Sequence, residues 1–142
     1  GLAHRSQWVA EKNGVEWFND SKATNVGAAI AAINGIQANK VILIAGGQGK
    51  GQDFEPLKDV VKDKVKHLIL LGEDAELLNS ELSDYTEVTF ADDLVQAVKK
   101  ANEVAVDGDA VLLSPACASF DMFSGYEQRG DMFVAAVNEV FK

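Results

Sequence analysis

The sequence holds one cysteine, Cys117, so no internal disulfide can form and a reducing compartment is expected. Histidine is almost as scarce. His4 and His67 are the only two, and neither stands at a metal-type spacing from Cys117, so no zinc-type ligand set is present. Positive charge is short as well: 13 Lys and Arg against 22 Asp and Glu give a formal net charge of −9. Nucleic acid and anionic membranes need clustered basic side chains, so neither is expected as a partner. One local basic pocket for a small anion remains compatible with that total. No apolar run approaches the roughly 18 residues of a membrane span, and no charged-then-apolar leader opens the chain. An initiator Met is also missing ahead of Gly1-Leu2-Ala3-His4-Arg5, and the chain is expected to be a domain cut from a longer protein.

What remains is an ordinary soluble composition. The 142 residues, 47% hydrophobic and 25% charged, suit one domain with a core of normal size. Asn19-Asp20-Ser21-Lys22-Ala23-Thr24-Asn25 organises it. Gly14-Val15-Glu16-Trp17-Phe18 ahead of it predicts a short strand, and Val26, Ala29, Ile30 and Ile33 behind it fall at helical spacing. The seven residues therefore form a strand-to-helix loop at a helix N-terminus, where free N–H groups and the helix dipole favour an anion. Asn25 or Thr24 would cap the helix. One cap does not account for Asp20, Ser21 and Lys22 as well.

The rest of the chain predicts a doubly wound α/β domain, a mostly parallel sheet flanked by helices with an antiparallel hairpin at its start. Asn13-Gly14 between Ser6–Lys12 and Gly14–Phe18 is a strong hairpin signal. Strands are then expected at Lys40–Ala45, Lys66–Leu71, Thr86–Thr89 and Ala110–Leu113. Helices are expected over about Phe54–Asp63, Asp74–Leu82 and Ala91–Val104, with a last one starting at Ser119 and interrupted near Ser124-Gly125. His67 falls inside an apolar strand, as a core or edge residue. In such sheets ligands bind beyond the carboxyl ends of the strands. The loops Asn19–Asn25, Gly46–Gly51 and Ser114–Ser119 all leave strand C-termini and are expected on one rim.

Gly46-Gly47-Gln48-Gly49-Lys50-Gly51 permits close backbone approach to a ligand, with Lys50 as the charge; a flexible turn with a solvated lysine is the alternative. It is not a nucleotide P-loop, because Ile44 stands at the first glycine position and Gly51 at the hydroxyl position. Cys117 has no base partner and reads as a small buried residue rather than a nucleophile. Ser119 reads as a helix N-cap able to turn a hydroxyl and an N–H towards a carboxylate. Lysines, hydroxyls and helix N-termini, with no nucleophile–base pair, suit a doubly anionic small molecule or a phosphate held in a transition state.

His4-Arg5, Asn19–Asn25, Gly46–Lys50, Leu113-Ser114-Pro115-Ala116-Cys117-Ala118-Ser119-Phe120-Asp121 and Tyr126-Glu127-Gln128-Arg129-Gly130 occur in that order. Together they resemble the C-terminal domain of the Mur ligase family, in its D-glutamate-adding branch of peptidoglycan synthesis, over essentially the whole chain. Sibling branches usually carry an Asp-Tyr-Ala-His type motif where this chain has Asp20-Ser21-Lys22-Ala23-Thr24. The resemblance implies a cytoplasmic, monomeric three-domain enzyme. ATP, with Mg2+, would phosphorylate the carboxylate of UDP-N-acetylmuramoyl-L-alanine, and the amine of D-glutamate would attack the acyl phosphate. Residues 1–142 would be the amino-acid-binding domain, inactive alone, with the UDP-binding and ATP-binding domains outside this chain. Carried over by position, Thr24, Lys50, Ser119 and Phe120 would hold the carboxylates of D-glutamate and Tyr126, often Phe in the family, would line the pocket. Lys22 and Lys50 would be catalytic. Arg5 would reach towards phosphate and Asp20 towards ribose of ATP, with His4 beside them at a hinge. Two other readings stay open: a sibling ligase domain of the folylpolyglutamate synthase type, or a stand-alone module for an acidic metabolite.

Overall fold

A computed structural model describes residues 3–142. It opens with β1 (Gln7–Lys12) and β2 (Val15–Asn19), paired antiparallel with Lys12 opposite Val15. Asn13 and Gly14 have φ of 56° and 77°, the left-handed pair that a tight two-residue hairpin demands. There follow α1 (Val26–Gly35), β3 (Val41–Gly46), a 3₁₀ turn at Glu55–Leu57 and α2 (Lys58–Lys64). Then come β4 (Val65–Leu71), α3 (Ala75–Leu82), β5 (Glu87–Phe90), α4 (Leu94–Val104), β6 (Ala110–Leu113) and α5 (Tyr126–Val140).

The six strands form one sheet in the order β1-β2-β6-β3-β4-β5, and every pairing after the hairpin is parallel. All residues of β3 and β6 are buried, as befits strands covered on both faces. The pleat sends Val41, Leu43 and Ala45 into one core, with α1, α2 and α3, and Ile42 and Ile44 into the other, with α4 and α5. Trp17 anchors the second core against Phe133 and Phe141. The predicted doubly wound sheet with its initial hairpin is the observed fold.

The break expected near Ser124-Gly125 is present, but the stretch before it is not helical. The last helix begins at Tyr126, and residues 119–125 make turns instead, closed by the Phe123 N–H on the Ser119 carbonyl at 2.9 Å. Ser119 is therefore not a helix N-cap. Gly125 takes that place with an extended backbone that no helix could run through. His67, expected in the core or at an edge, lies half-buried on the interior strand β4, where Nε2 sits 2.6 Å from the Thr89 hydroxyl of β5.

Candidate functional site

Parallel pairing puts the C-terminal ends of β2, β6 and β3 side by side, with Asn19 opposite Leu113 and Ile44 opposite the same residue. The loops that leave them are laced together by backbone bonds. The Asp20 N–H donates to the Leu113 carbonyl (2.8 Å), Ala116 to Ala23 (2.9 Å) and Gly46 to Pro115 (3.1 Å). Gln48 and Ala118 exchange bonds in both directions at 2.9 Å. The three strand-end loops thus share one rim.

Between them opens a cleft of about 350 Å³ that brings together Thr24, Lys50, Ser119, Phe120, Tyr126 and Glu127. Lys50 is exposed, and its Nζ lies 5.7 Å from the centre of the Phe120 ring. The first turn of α5 borders the cleft, and its N–H groups precede the first intrahelical bond, from Arg129 to Gly125. Glu127 is the acidic member of this lining, and its carboxylate sits at the dipole end that favours negative charge.

Lys22 does not join Lys50. It lines a second cleft of about 290 Å³ with Arg5, Ser6, Asp20 and the small residues of α1. Asp20 is not poised to reach out of that cleft. Its residue is 4% exposed, its Oδ1 accepts the Ser6 N–H at 2.9 Å and its Oδ2 accepts the Ser114 hydroxyl at 3.2 Å. Burial raises its pKa, against the lowering effect of those bonds and of Arg5. In this structure Asp20 fixes the Arg5-Ser6 segment rather than presenting a free carboxylate.

His4 lines neither cleft, but it packs edge-on to Tyr126, a lining residue of the first, at 6.1 Å between ring centres. The Asn19 amide settles its tautomer. Asn19 Oδ1 accepts the Ser21 N–H (3.1 Å) and Nδ2 donates to Gln7 Oε1 (3.0 Å), so Nδ2 also faces His4 Nδ1 as a donor at 3.0 Å. His4 Nδ1 must then accept, which leaves the proton on Nε2, 3.5 Å from the Asp131 carboxylate.

Three supporting residues escape a reading of the sequence. Arg129 is 3% exposed, bonded through Nε to the Ser21 hydroxyl (2.9 Å), through Nη2 to the Ser21 carbonyl (2.8 Å) and through Nη1 to the Cys117 carbonyl (3.0 Å). The available signal was its place on the apolar stripe of α5, four residues before Phe133 and eight before Val137. Gln52 donates to the Ala116 carbonyl (2.7 Å) and accepts the Val26 N–H (3.0 Å), so one side chain touches all three loop systems. Asp74 binds the Gly49 N–H. Nothing in local spacing marks Gln52 or Asp74. Cys117 is fully buried, and burial, with Asp74 and Asp121 nearby, pushes its thiol up to about 12, so it is no nucleophile. Among the described residues no group of three or more His, Cys, Asp or Glu could hold a metal ion. No helix among them is long and apolar enough to cross a membrane.

The family model described as "Mur ligase, glutamate ligase domain" matches residues 4–117. A UDP-N-acetylmuramoylalanine--D-glutamate ligase of Coxiella burnetii is 57% identical over 140 residues, which are 96% of this chain and 32% of the relative. The protein of that name from Pseudomonas putida is 54% identical over 139 residues, 96% of this chain and 31% of the relative. The chain thus spans about a third of the length of these curated relatives. Among solved structures, the MurF ligase of Thermotoga maritima in complex with ADP superposes with a TM-score of 0.65 at 17% identity, over 99% of this chain and 32% of that one. A bifunctional folylpolyglutamate synthase/dihydrofolate synthase from Yersinia pestis gives 0.68 at 20% identity, over 95% of this chain and 31% of that one. Those two share the fold, whereas the match over residues 4–117 and the identity of 57% concern the sequence itself: the chain belongs to the Mur ligase family, as its glutamate ligase domain.

Proposed function

We propose that this chain is the D-glutamate-binding domain of an ATP-dependent ligase that joins D-glutamate to UDP-N-acetylmuramoyl-L-alanine through an acyl phosphate. The names of the relatives at 57% and 54% identity support the substrate pair. The observation that carries the reading is the shared cleft of Thr24, Lys50, Ser119, Phe120 and Tyr126. D-Glutamate has two carboxylates. Lys50 supplies a cation for one, and the hydroxyls of Thr24 and Ser119 with the free N–H groups at the start of α5 supply donors for the other. Positive charge around the bound amine discourages its protonation, and the neutral amine is the nucleophile.

ATP would be the phosphoryl donor on this reading, with Mg2+ supplying charge neutralisation for its phosphates. A likeness in fold to a ligase solved with ADP, and to a synthase solved with AMPPNP and a manganese ion, supports it. Arg5 and Lys22 in their cleft fit the edge of a polyphosphate. Neither a P-loop nor a metal-ligand set occurs among the described residues, and on this reading both would be supplied by the other domains of the enzyme. Residues 1–142 alone bind and orient but do not turn over. The whole ligase is a cytoplasmic monomer with no nucleic-acid or membrane partner. In the full-length protein, Lys50→Ala should raise KM for D-glutamate by at least about tenfold and also lower kcat, since a charge-assisted contact is lost. Kinetics equal to the parent's reject the assignment, and a preference for L-glutamate on a folate acceptor would move the chain to the folylpolyglutamate branch.

A further inference from the structure

Lys50 stands in a backbone conformation that L residues avoid. Its φ is +55°, where Cβ crowds the backbone, so the surroundings must hold it there. Gln48, before it, is pinned by its two backbone bonds to Ala118, and Gln52, after it, by Ala116 and Val26. Between those anchors, the side-chain hydrogen bond to the backbone of residues 49–51 comes from Asp74, whose Oδ2 accepts the Gly49 N–H at 2.6 Å. The Asp74 N–H donates in turn to the Gly47 carbonyl at 2.9 Å, so one residue grips the loop on both sides of Gln48. The fit is tight: a Cβ on Gly49 would lie 2.6 Å from the Phe54 ring and 2.9 Å from Asp74 Oδ2.

Asp74 also occupies the N-cap position of α3, where an aspartate ordinarily accepts from its own helix. It makes no such bond. Its carboxylate is turned to the glycine loop instead.

We propose that Asp74 is the positioning residue for Lys50, holding the Gly49 amide so that the Lys50 ammonium stands over the cleft of Thr24 and Ser119. This deepens, and rests on, the D-glutamate reading above. The Asp74 carboxylate never touches substrate. It acts by limiting where the lysine can point, so its loss appears in substrate capture and not in ATP use.

The test uses the full-length ligase with two readouts: KM for D-glutamate and for ATP, and amide hydrogen exchange over residues 46–52. Asp74→Ala and Asp74→Ser should each raise KM for D-glutamate by about tenfold, leave KM for ATP unchanged and speed exchange in that segment. Serine can still cap α3 but falls short of Gly49, so it separates the loop contact from helix integrity. Asp74→Asn keeps an acceptor for the Gly49 N–H and should stay within about twofold of the parent. An unchanged KM for D-glutamate in Asp74→Ser, or an asparagine variant as poor as the serine one, overturns the proposal. If Lys50→Ala raises that KM while Asp74→Ser does not, the clamp fails and the D-glutamate reading stands. If Lys50→Ala changes nothing, the D-glutamate reading fails, and unchanged exchange at 46–52 in Asp74→Ser then removes the clamp too.

Discussion

The Arg129 guanidinium embraces Ser21, donating to its hydroxyl at 2.9 Å and to its carbonyl at 2.8 Å. The Ser21 hydroxyl passes the chain on to the Tyr126 carbonyl at 2.7 Å. A helix, the Asn19–Asn25 loop and, through Cys117, the Ser114–Ser119 loop are thereby tied at one buried cation. Burial lowers its pKa to about 10, which still leaves it charged at neutral pH. Arg129→Met should cost roughly 2–5 kcal/mol of folding stability, because the Ser21 and Cys117 carbonyls lose their donors inside the protein. Arg129→Lys should cost less, keeping a charge but not the planar fork. Denaturant unfolding of the three proteins checks the order, and a methionine variant as stable as the parent removes the guanidinium from its place as the tie between loops.

Asp20 carries a pH signature opposite to that of most carboxylates. Its folded pKa is raised, chiefly by burial, so the folded state holds the proton more tightly than the unfolded one. The favourable contribution of the protonated form is therefore present below the ordinary aspartate range and lost as pH rises through the folded value. Asp20→Asn is uncharged at every pH and can still accept from Ser6. It should melt at the same temperature as the parent or higher at pH 7, with the gap shrinking as pH is lowered towards 4. A gap that widens on acidification reverses the sign and refutes the burial argument.

Most of the fold was legible because its signals are local. Asn13-Gly14 specifies the hairpin, β3 is a fully apolar run, and Asn25 caps α1 by accepting from the Ala28 N–H at 2.9 Å. The convergence of Thr24, Lys50 and Ser119 was legible too, since parallel strands must empty their loops on one rim. The start of α5 was not. Phe120 to Phe123 look helix-compatible, and only the extended backbone of Gly125 and the loop contacts around Ser119 stop a helix there. Lys22 and Lys50 read as paired in the sequence as the loop cations, yet they line different clefts, because a seven-residue loop has two sides and spacing does not say which one a side chain takes. Asp20, Gln52 and Asp74 act across 14, 26 and 25 residues of chain, a range that periodicity does not reach.

Cys117 should be chemically silent in the folded domain. It is fully buried, and its thiol is pushed up to about 12, so the thiolate fraction at pH 8 is negligible. Labelling by an aromatic disulfide reagent should proceed only as fast as the protein unfolds, and should become immediate in denaturant. Prompt stoichiometric labelling of the native protein at pH 8 would contradict the packing described for the loop after β6.

Gly130 is the contact that lets His4 lie on α5. A Cβ at this position would stand 2.1 Å from His4 Nδ1 and 3.0 Å from the Asn19 side-chain nitrogen. Gly130→Ala gains helix propensity of about 1 kcal/mol, against an overpacking cost of about 1–3 kcal/mol. His4 belongs to a short segment ahead of β1, so the strain is relieved by moving that segment rather than the core. Thermal stability should therefore change little while the His4–Asn19 bond breaks. The Asn19 side-chain amide and the His4 ring should shift in NMR spectra, and Arg5, next in sequence, should lose its fixed place in the cleft with Lys22. In the full-length protein, on the function proposed above, that loss should raise KM for ATP more than KM for D-glutamate, since Arg5 lines the second cleft whereas His4 meets the first only through the edge of Tyr126. An unmoved His4 ring, or an effect on D-glutamate in place of ATP, would break the connection drawn between Gly130 and the Arg5 cleft.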